Sequence, residues 1–195
     1  MSYTRLTGGE HRGIELKIPD GNDVRPATSM MRSSIFSILT DQVENSIVLD
    51  LFAGAGTFGI EALSRNASFC TFVETNFTCI NSIKENIEKI KASNKSRILK
   101  ESAFTSIAKL ERVYDLIFID PPFIFFDKEE QKLKLQNLFD QILNSQKIAQ
   151  NSRVIFKHPD GKLFECEKPL RIKNYGQICI SFWQKRTNNE KSAIV

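Results

Sequence analysis

Ile47-Val-Leu-Asp50-Leu-Phe52-Ala-Gly54-Ala-Gly56-Thr-Phe-Gly59-Ile-Glu61-Ala-Leu63 is an apolar strand that runs into a glycine-rich turn and then a helix. A strand apolar at nearly every position belongs in a sheet buried on both faces. Glycines in the turn let the backbone pass close to a ligand with no Cβ in the way. The same unit repeats downstream. Strands are expected near 47–51, 69–73, 97–100, 115–119 and 153–157, with helices near 57–65, 76–91, 103–110 and 129–145. In the second helix Phe77, Ile80, Ile83, Ile87 and Ile90 recur at steps of three and four, an apolar stripe that reads as core. Alternating strands and helices predict an α/β protein with a mostly parallel sheet covered on both faces.

The two ends depart from this alternation. Arg5 to Gly9 and Arg12 to Ile18 read as short strands about a glycine-bearing turn, a small N-terminal hairpin. Arg25-Pro-Ala-Thr28 then leads into Met31, Ile35, Phe36, Ile38 and Leu39 at helical spacing, with Thr28 or Ser29 as N-cap. At the other end Phe164 to Glu167, Leu170 to Lys173 and Gln177 to Trp183 follow one another without a helix. With Tyr175-Gly176 as the turn, they predict an antiparallel C-terminal hairpin at the sheet edge. The organisation expected is an N-terminal extension over 1–45, one main domain over 46–186 and a polar tail over 187–195.

Bulk properties narrow the function classes. A chain of 195 residues with 41% hydrophobic content can bury one sizeable core. A formal net charge of +4 permits a nucleic-acid partner without requiring one. The four cysteines form no C-x-x-C pair and have no histidine at metal-ligand spacing, so no metal site is expected. There is no run of about 18 apolar residues and no basic start before an apolar core, so neither a membrane span nor a signal peptide is expected. The expected location is the cytoplasm, and the expected state a monomer.

The chemistry is carried by Asp115-Leu-Ile-Phe-Ile-Asp120-Pro121-Pro122-Phe123, an apolar strand ending on a carboxylate, two prolines and an aromatic ring. Prolines have no N–H and a fixed φ, so they end the strand and stiffen the turn. An amino group conjugated to a heterocycle is a poor nucleophile because its lone pair is delocalised. Asp120 and the Pro121 carbonyl, placed around it, can localise that pair, and Phe123 can stack on the base. Alone, an Asp-Pro-Pro turn is equally well a strand terminator.

Gly54, Gly56 and Gly59 fit G-x-G-x-x-G, and Glu74 lies 20 residues after Gly54, as a nicotinamide dehydrogenase would show. A pyrophosphate, however, wants helix N–H groups and few anions. This crevice is expected to gather Asp50, Glu61, Glu74 and Asp120 at the carboxyl ends of adjacent strands, where open α/β sheets bind ligands. Carboxylates suit the ammonium and sulfonium of S-adenosylmethionine, and Glu74 can take its ribose hydroxyls.

The chain resembles the bacterial 16S ribosomal RNA guanine-N2 methyltransferases of the small-subunit type. The likeness runs over Arg5 to Gly13, Arg25 to Leu39, Asp50 to Ala67, Phe72 to Glu74, Asp120 to Phe123 and the closing strand. It implies a Rossmann-like seven-stranded sheet with a reversed final strand, S-adenosylmethionine as methyl donor, and 16S rRNA or the small ribosomal subunit as partner. The implied catalytic residues are Asp120, Pro121, Pro122 and Phe123. The implied cofactor residues are Asp50, Phe52, Gly54, Gly56, Glu74, Ser102, Ala103 and Asp120, with Arg25 and Thr28 at the mouth. Arg5, Arg12, Lys17 and Arg32 are assigned to RNA, Arg32 alternatively to the methionine carboxylate.

The chain departs from this family where an Asp or Asn often reaches the adenine and here Glu101-Ser102-Ala103 stands. It departs again at the fifth strand, which often ends on Glu and here ends on Lys157-His158. Near residue 177 the family tends to an acid and this chain has Gln. DNA adenine or protein-glutamine methyltransferases share the sheet, but their tetrapeptide usually begins with Asn and they carry a larger recognition element. A nicotinamide dehydrogenase or a catalytically silent RNA-binding protein is the remaining alternative.

Overall fold

A computed structural model of the chain describes residues 2–19, 28–163 and 168–185. The expected strand at 164–167, Arg25 and the polar tail lie outside them. In chain order the elements are β1 (Ser2–Arg5), β2 (Glu15–Ile18), α1 (Ser29–Leu39), β3 (Ile47–Leu51), α2 (Thr57–Ser64), β4 (Phe69–Glu74) and α3 (Phe77–Lys89). There follow β5 (Ser96–Lys100), α4 (Ala103–Ser106), β6 (Tyr114–Ile119), α5 (Glu129–Asn144), β7 (Ile148–Pro159), β8 (Arg171–Tyr175) and β9 (Ile178–Gln184).

Seven strands form one sheet in the order β5-β4-β3-β6-β7-β9-β8. The first five are mutually parallel, while β9 is antiparallel to both β7 and β8. The chain starts this sheet at β3, winds outward to β5, then returns to β6 on the other side of β3. At that reversal the loops following β3 and β6 diverge and leave a crevice at their carboxyl ends.

Side chains alternate along each strand and so build two cores. Val48, Phe72, Phe118, Ile155 and Phe182 face one side, under Ile35 and Phe36 of α1, Phe58 of α2 and Ile83 of α3. Leu49, Val73, Ile117, Val154 and Trp183 face the other, under Leu135, Leu138 and Phe139 of α5. In the α3 stripe Ile80, Ile83, Ile87 and Ile90 are buried as expected, but Phe77 is 64% exposed. It is the first residue of the helix, capped by Asn76, and its ring lies 5.8 Å from Lys100 Nζ at the end of β5.

The N-terminal hairpin β1–β2 packs by specific polar contacts. Gly9 has φ +79°, and a Cβ there would stand 1.8 Å from the Ser64 carbonyl oxygen, so only glycine allows this approach to the end of α2. The Glu10 N–H donates to that carbonyl, and Ser64 Oγ donates to the Gly8 carbonyl. Asn86 of α3 accepts from Lys17 N–H and donates to the Lys17 and Ala55 carbonyls, tying the hairpin to the glycine turn.

Glu61 and Arg32 lie at the centre of this docking rather than in the crevice or on an RNA surface. Both side chains are fully enclosed, with Arg32 Nε 3.6 Å from Glu61 Oε2. Arg32 also donates to Thr4 Oγ1 at 2.9 Å and to the Arg5 carbonyl at 2.7 Å. Glu61 accepts from Thr7 N–H, Thr7 Oγ1 and Arg65 Nε. Buried charges survive only when paired in this way. The expectation that Arg32 contacts RNA or the methionine carboxylate is therefore corrected: helical spacing cannot distinguish a charge aimed at solvent from one capping a docked hairpin.

Candidate active site

The loops at the carboxyl ends of β3, β4, β5 and β6, with the β8–β9 turn, enclose a cavity of about 840 Å³, within the range of small-molecule and cofactor sites. Phe52 (φ +57°), Gly54 (φ +55°) and Gly56 (φ +75°) turn the chain sharply after β3. Of these, Phe52 and Gly54 line the cavity. Gly56 sits behind it, and an added Cβ would stand 3.1–3.2 Å from Phe72, Ile60 and Ile83. Gly59 is tighter still, 2.4 Å from Phe72 and 2.5 Å from Cys70. Gly56 and Gly59 thus serve helix–sheet packing, and Gly54 the approach to a ligand.

Glu74 ends β4 and holds the turn. Its Oε2 accepts from Gly54 N–H at 2.8 Å, and its Oε1 accepts from Thr75 and Asn76 N–H, both at 2.8 Å. A carboxylate has about four lone-pair positions, so a further hydroxyl from the cavity finds one left. Taking two ribose hydroxyls requires a backbone N–H to give way. Glu74→Ala is expected to weaken cofactor binding by roughly 1.5–3 kcal/mol per charge-assisted hydrogen bond lost. Calorimetry with S-adenosylhomocysteine checks this, and an unchanged affinity removes Glu74 from the site.

Asp50 lies beneath the turn, 1% exposed, and does not line the cavity. Its Oδ2 accepts from Gly59 N–H at 3.0 Å, while its Oδ1 has no partner among the described residues. Burial holds this carboxyl well above the usual carboxylate range; the Gly59 N–H opposes the rise, and the charges of Asp120 and Glu74 add to it. The expectation that Asp50 contacts the cofactor from the crevice is therefore corrected: buried beneath the turn, it supports the start of α2 through the Gly59 N–H.

After β5, Ser102 caps α4, its Oγ accepting from Phe104 N–H at 3.3 Å. Ser102, Ala103 and Phe104 line the wall. Phe52, Phe104 and Phe125 meet edge to face or tilted, with centroids 5.6–6.0 Å apart, and make that wall apolar. Phe104 was not legible as a site residue, since an isolated Phe in sequence is core until its neighbours are known, and Phe125 and Phe126, which extend the tetrapeptide loop, could be read from sequence only as lid or core; the structure puts Phe125 in the wall. Phe126, beside Phe125, turns away and packs on Phe156.

Asp120 follows β6, and Asp120, Pro121, Pro122 and Phe123 all line the same cavity. The structure therefore brings the tetrapeptide and the glycine turn together across neighbouring strands. Asp120 Oδ1 meets Lys157 Nζ at 2.5 Å, with side-chain exposures of 17% and 7%. Lys157 Nζ also stands 5.5 Å from the Phe123 ring centroid. Sequence reasoning registered Lys157 only as a departure. Its proximity follows from register, since Ile119 pairs with Phe156 in the parallel ladder and the next residues are neighbours.

His158 points the other way, bonded to Ser181 Oγ and the Pro159 carbonyl, with its pKa lowered by burial. Tyr175, Gln177 and Ile178 bring the β8–β9 turn to the mouth, and Tyr175 Oη donates to Ser34 Oγ of α1.

The remaining assignments lie outside the cavity. Thr28 is exposed and caps α1 by accepting from Met31 N–H. Arg5 is 71% exposed and pairs with Glu15; Lys17 pairs with Glu85; Arg12 is exposed. Among the described residues no cluster of three potential metal ligands occurs, and no helix is long and apolar enough to cross a membrane.

An acid-lined glycine turn and an Asp-Pro-Pro-Phe loop facing one cavity on this sheet define an S-adenosylmethionine-dependent methyltransferase of the Rossmann-like class. Residues 4–184 match the family described as conserved hypothetical protein 95, and the chain belongs to it. The Bacillus subtilis protein named "Putative rRNA methyltransferase YlbH" is 32% identical over 190 residues, covering 93% of this chain and 99% of its own length. "Ribosomal RNA small subunit methyltransferase D" of Escherichia coli is 34% identical over 119 residues, 61% of this chain and 60% of that protein. Among solved structures, the E. coli "Putative methyltransferase yhhF" superposes with a TM-score of 0.80 at 25% identity, covering 96% of this chain and all of that one. An RNA methyltransferase from Salinibacter ruber, solved with S-adenosylhomocysteine, shares the fold with a TM-score of 0.61 at 12% identity, over 84% of this chain and 95% of that one.

Proposed function

We propose that this protein methylates ribosomal RNA of the small subunit, at the exocyclic N2 of a specific guanine. The observation that carries the reading is Asp120, set beside the glycine turn at the sheet's reversal and followed by a rigid Pro-Pro turn and an aromatic ring. The names of the relatives support the RNA class. The amine acceptor is argued from the loop.

The residues present fit the cofactor: the Phe52–Phe104 wall and Ala103 suit a heterocycle, Glu74 a ribose, and the carboxylates a cation. When bound, S-adenosylmethionine supplies a methyl group on a sulfonium that is already a good leaving group. Asp120 and the Pro121 carbonyl accept the two amine hydrogens, localising the nitrogen lone pair toward the methyl. Phe123 stacks on the base, and base–aromatic stacking is worth about 1–3 kcal/mol. Holding the reactants in line supplies much of the acceleration. After transfer the nitrogen carries one proton too many, which passes to Asp120 or to water. Arg5 and Arg12, on the exposed hairpin, are proposed phosphate contacts that position without specifying sequence.

Tritiated methyl transfer to 16S RNA, followed by nucleoside analysis, tests the reading. Label is expected in N2-methylguanosine, and label in another nucleoside overturns the acceptor. A small-subunit particle lacking the mark should react faster than deproteinised RNA, since the excess positive charge is small and an ordered loop spares part of the base-extrusion cost of a few kcal/mol. Equal or faster initial rates on naked RNA, at matched concentration and salt, would show that local RNA structure suffices.

A further inference from the structure

We propose that Lys157 is a positioning residue for methyl transfer, the counter-charge that fixes Asp120 with one carboxylate oxygen presented to the incoming amine. This rests on the reading of Asp120 as the acceptor of the amine hydrogens.

The geometry is specific. Lys157 takes Oδ1 of Asp120 at 2.5 Å, which leaves Oδ2 for a substrate N–H. The same ammonium lies 5.5 Å from the centroid of Phe123, so one side chain braces both the acceptor and the stacking platform. Both partners are largely enclosed, at 7% and 17% exposure. A buried ion pair is weak evidence for stability, because desolvation offsets the attraction. A role in the site accounts better for a lysine held there.

The charge inventory points the same way. Among the described residues lining the cavity, Lys157 is the one Lys or Arg, set against Glu74, Glu101 and Asp120. The methyl donor is cationic at sulfur, and its product is neutral there. Carboxylates left unbalanced near that sulfur favour the donor over the product and stabilise the ground state, which slows transfer. Lys157 offsets one of them.

The test uses affinity as well as activity. Calorimetry measures S-adenosylmethionine and S-adenosylhomocysteine binding to the parent protein, Lys157→Met, Lys157→Arg, Asp120→Asn and the Asp120→Asn/Lys157→Met pair. Lys157→Met is expected to raise the preference for donor over product by about 3–10-fold, the size of one unit charge acting across a partly solvated site. Lys157→Arg should keep the parent ratio, and the shift from Lys157→Met should persist on the Asp120→Asn background, because the ammonium acts on the sulfonium whether or not residue 120 is charged; its effect on methyl transfer should be lost there, because positioning acts through Asp120. In methyl transfer, Lys157→Met should lower kcat by about tenfold or more while moving the RNA KM less than threefold, as lost orientation does.

Thermal melting of each variant separates these effects from unfolding, and Lys157→Gln, equally uncharged, carries the test if the methionine variant does not fold. A donor-to-product ratio unchanged in folded Lys157→Met overturns the proposal. So does an equal fall in kcat with Asp120→Asn present, because Lys157 would then act without Asp120. If the parent binds the donor but places no methyl on guanine N2, the acceptor reading fails while the affinity ratios still decide whether Lys157 offsets the carboxylates of the cavity.

Discussion

Asp120→Asn is expected to lower methyl transfer by about two to three orders of magnitude, the usual cost of removing one preorganised group aimed at developing charge. Positive charge grows on the amine nitrogen as the new bond forms, and a carboxylate facing it becomes more favourable in the transition state than before it. An amide in the same place offers one acceptor and two donors. The donors face Lys157 or the amine, and either contact is unfavourable. Asp120 lines the cavity after β6, whereas Glu74 holds the turn from the end of β4, with β3 between the two strands. S-adenosylhomocysteine affinity should therefore stay within a few-fold of the parent. Single-turnover rates with saturating donor, beside calorimetry, make the separation. Activity near the parent level would show that the Pro121 carbonyl and positioning suffice.

Glu61→Ala is expected to destabilise the protein by about 3–5 kcal/mol, the cost of leaving a buried charge without its partner. Arg32 is 0% exposed, and burial already lowers its pKa against the opposing pull of Glu61. Removing the carboxylate also strands the Thr7 N–H and takes one partner from Arg65, which still donates to Thr7 Oγ1. For a chain of this length the loss corresponds to a fall of roughly 6–20 °C in Tm. Urea titration of the parent and variant, with and without S-adenosylhomocysteine, measures it. A loss below about 1 kcal/mol would show that Leu6 and Leu16, buried in the core, hold the hairpin without the ion pair. The hairpin reaches the glycine turn through Asn86 and Ala55, so loosening it should also weaken cofactor binding.

These two residues mark what local sequence reveals. Asp120 was legible because its signal is contiguous: an apolar strand, then a carboxylate, then two prolines that must end the strand. Glu61 and Arg32 were read as crevice and surface charges because each is an ordinary polar residue on a helix. What encloses them is a hairpin whose Thr7 stands 54 positions from Glu61, held there by Gly9 against the Ser64 carbonyl. The glycine triplet was legible as a turn. The division of labour within it depended on Phe72 and Cys70 of the next strand.

The sequence by itself determined the order and periods of the elements, the mostly parallel sheet, the reversed hairpin at its edge and the two loops, after β3 and β6, that line the cavity. Those properties depend on hydrophobic alternation and backbone constraints that act over a few residues. Only the tertiary structure decided which charges meet. Lys157 became the partner of Asp120 through the register of β6 against β7, and Phe104 and Phe125 became cavity walls because loops after different strands converge. Asp50 was set under the floor and Arg32 under the hairpin by the same packing. An ionisable side chain takes its role from burial and from the groups within a few ångströms of it, and folding fixes both from residues far apart in the chain.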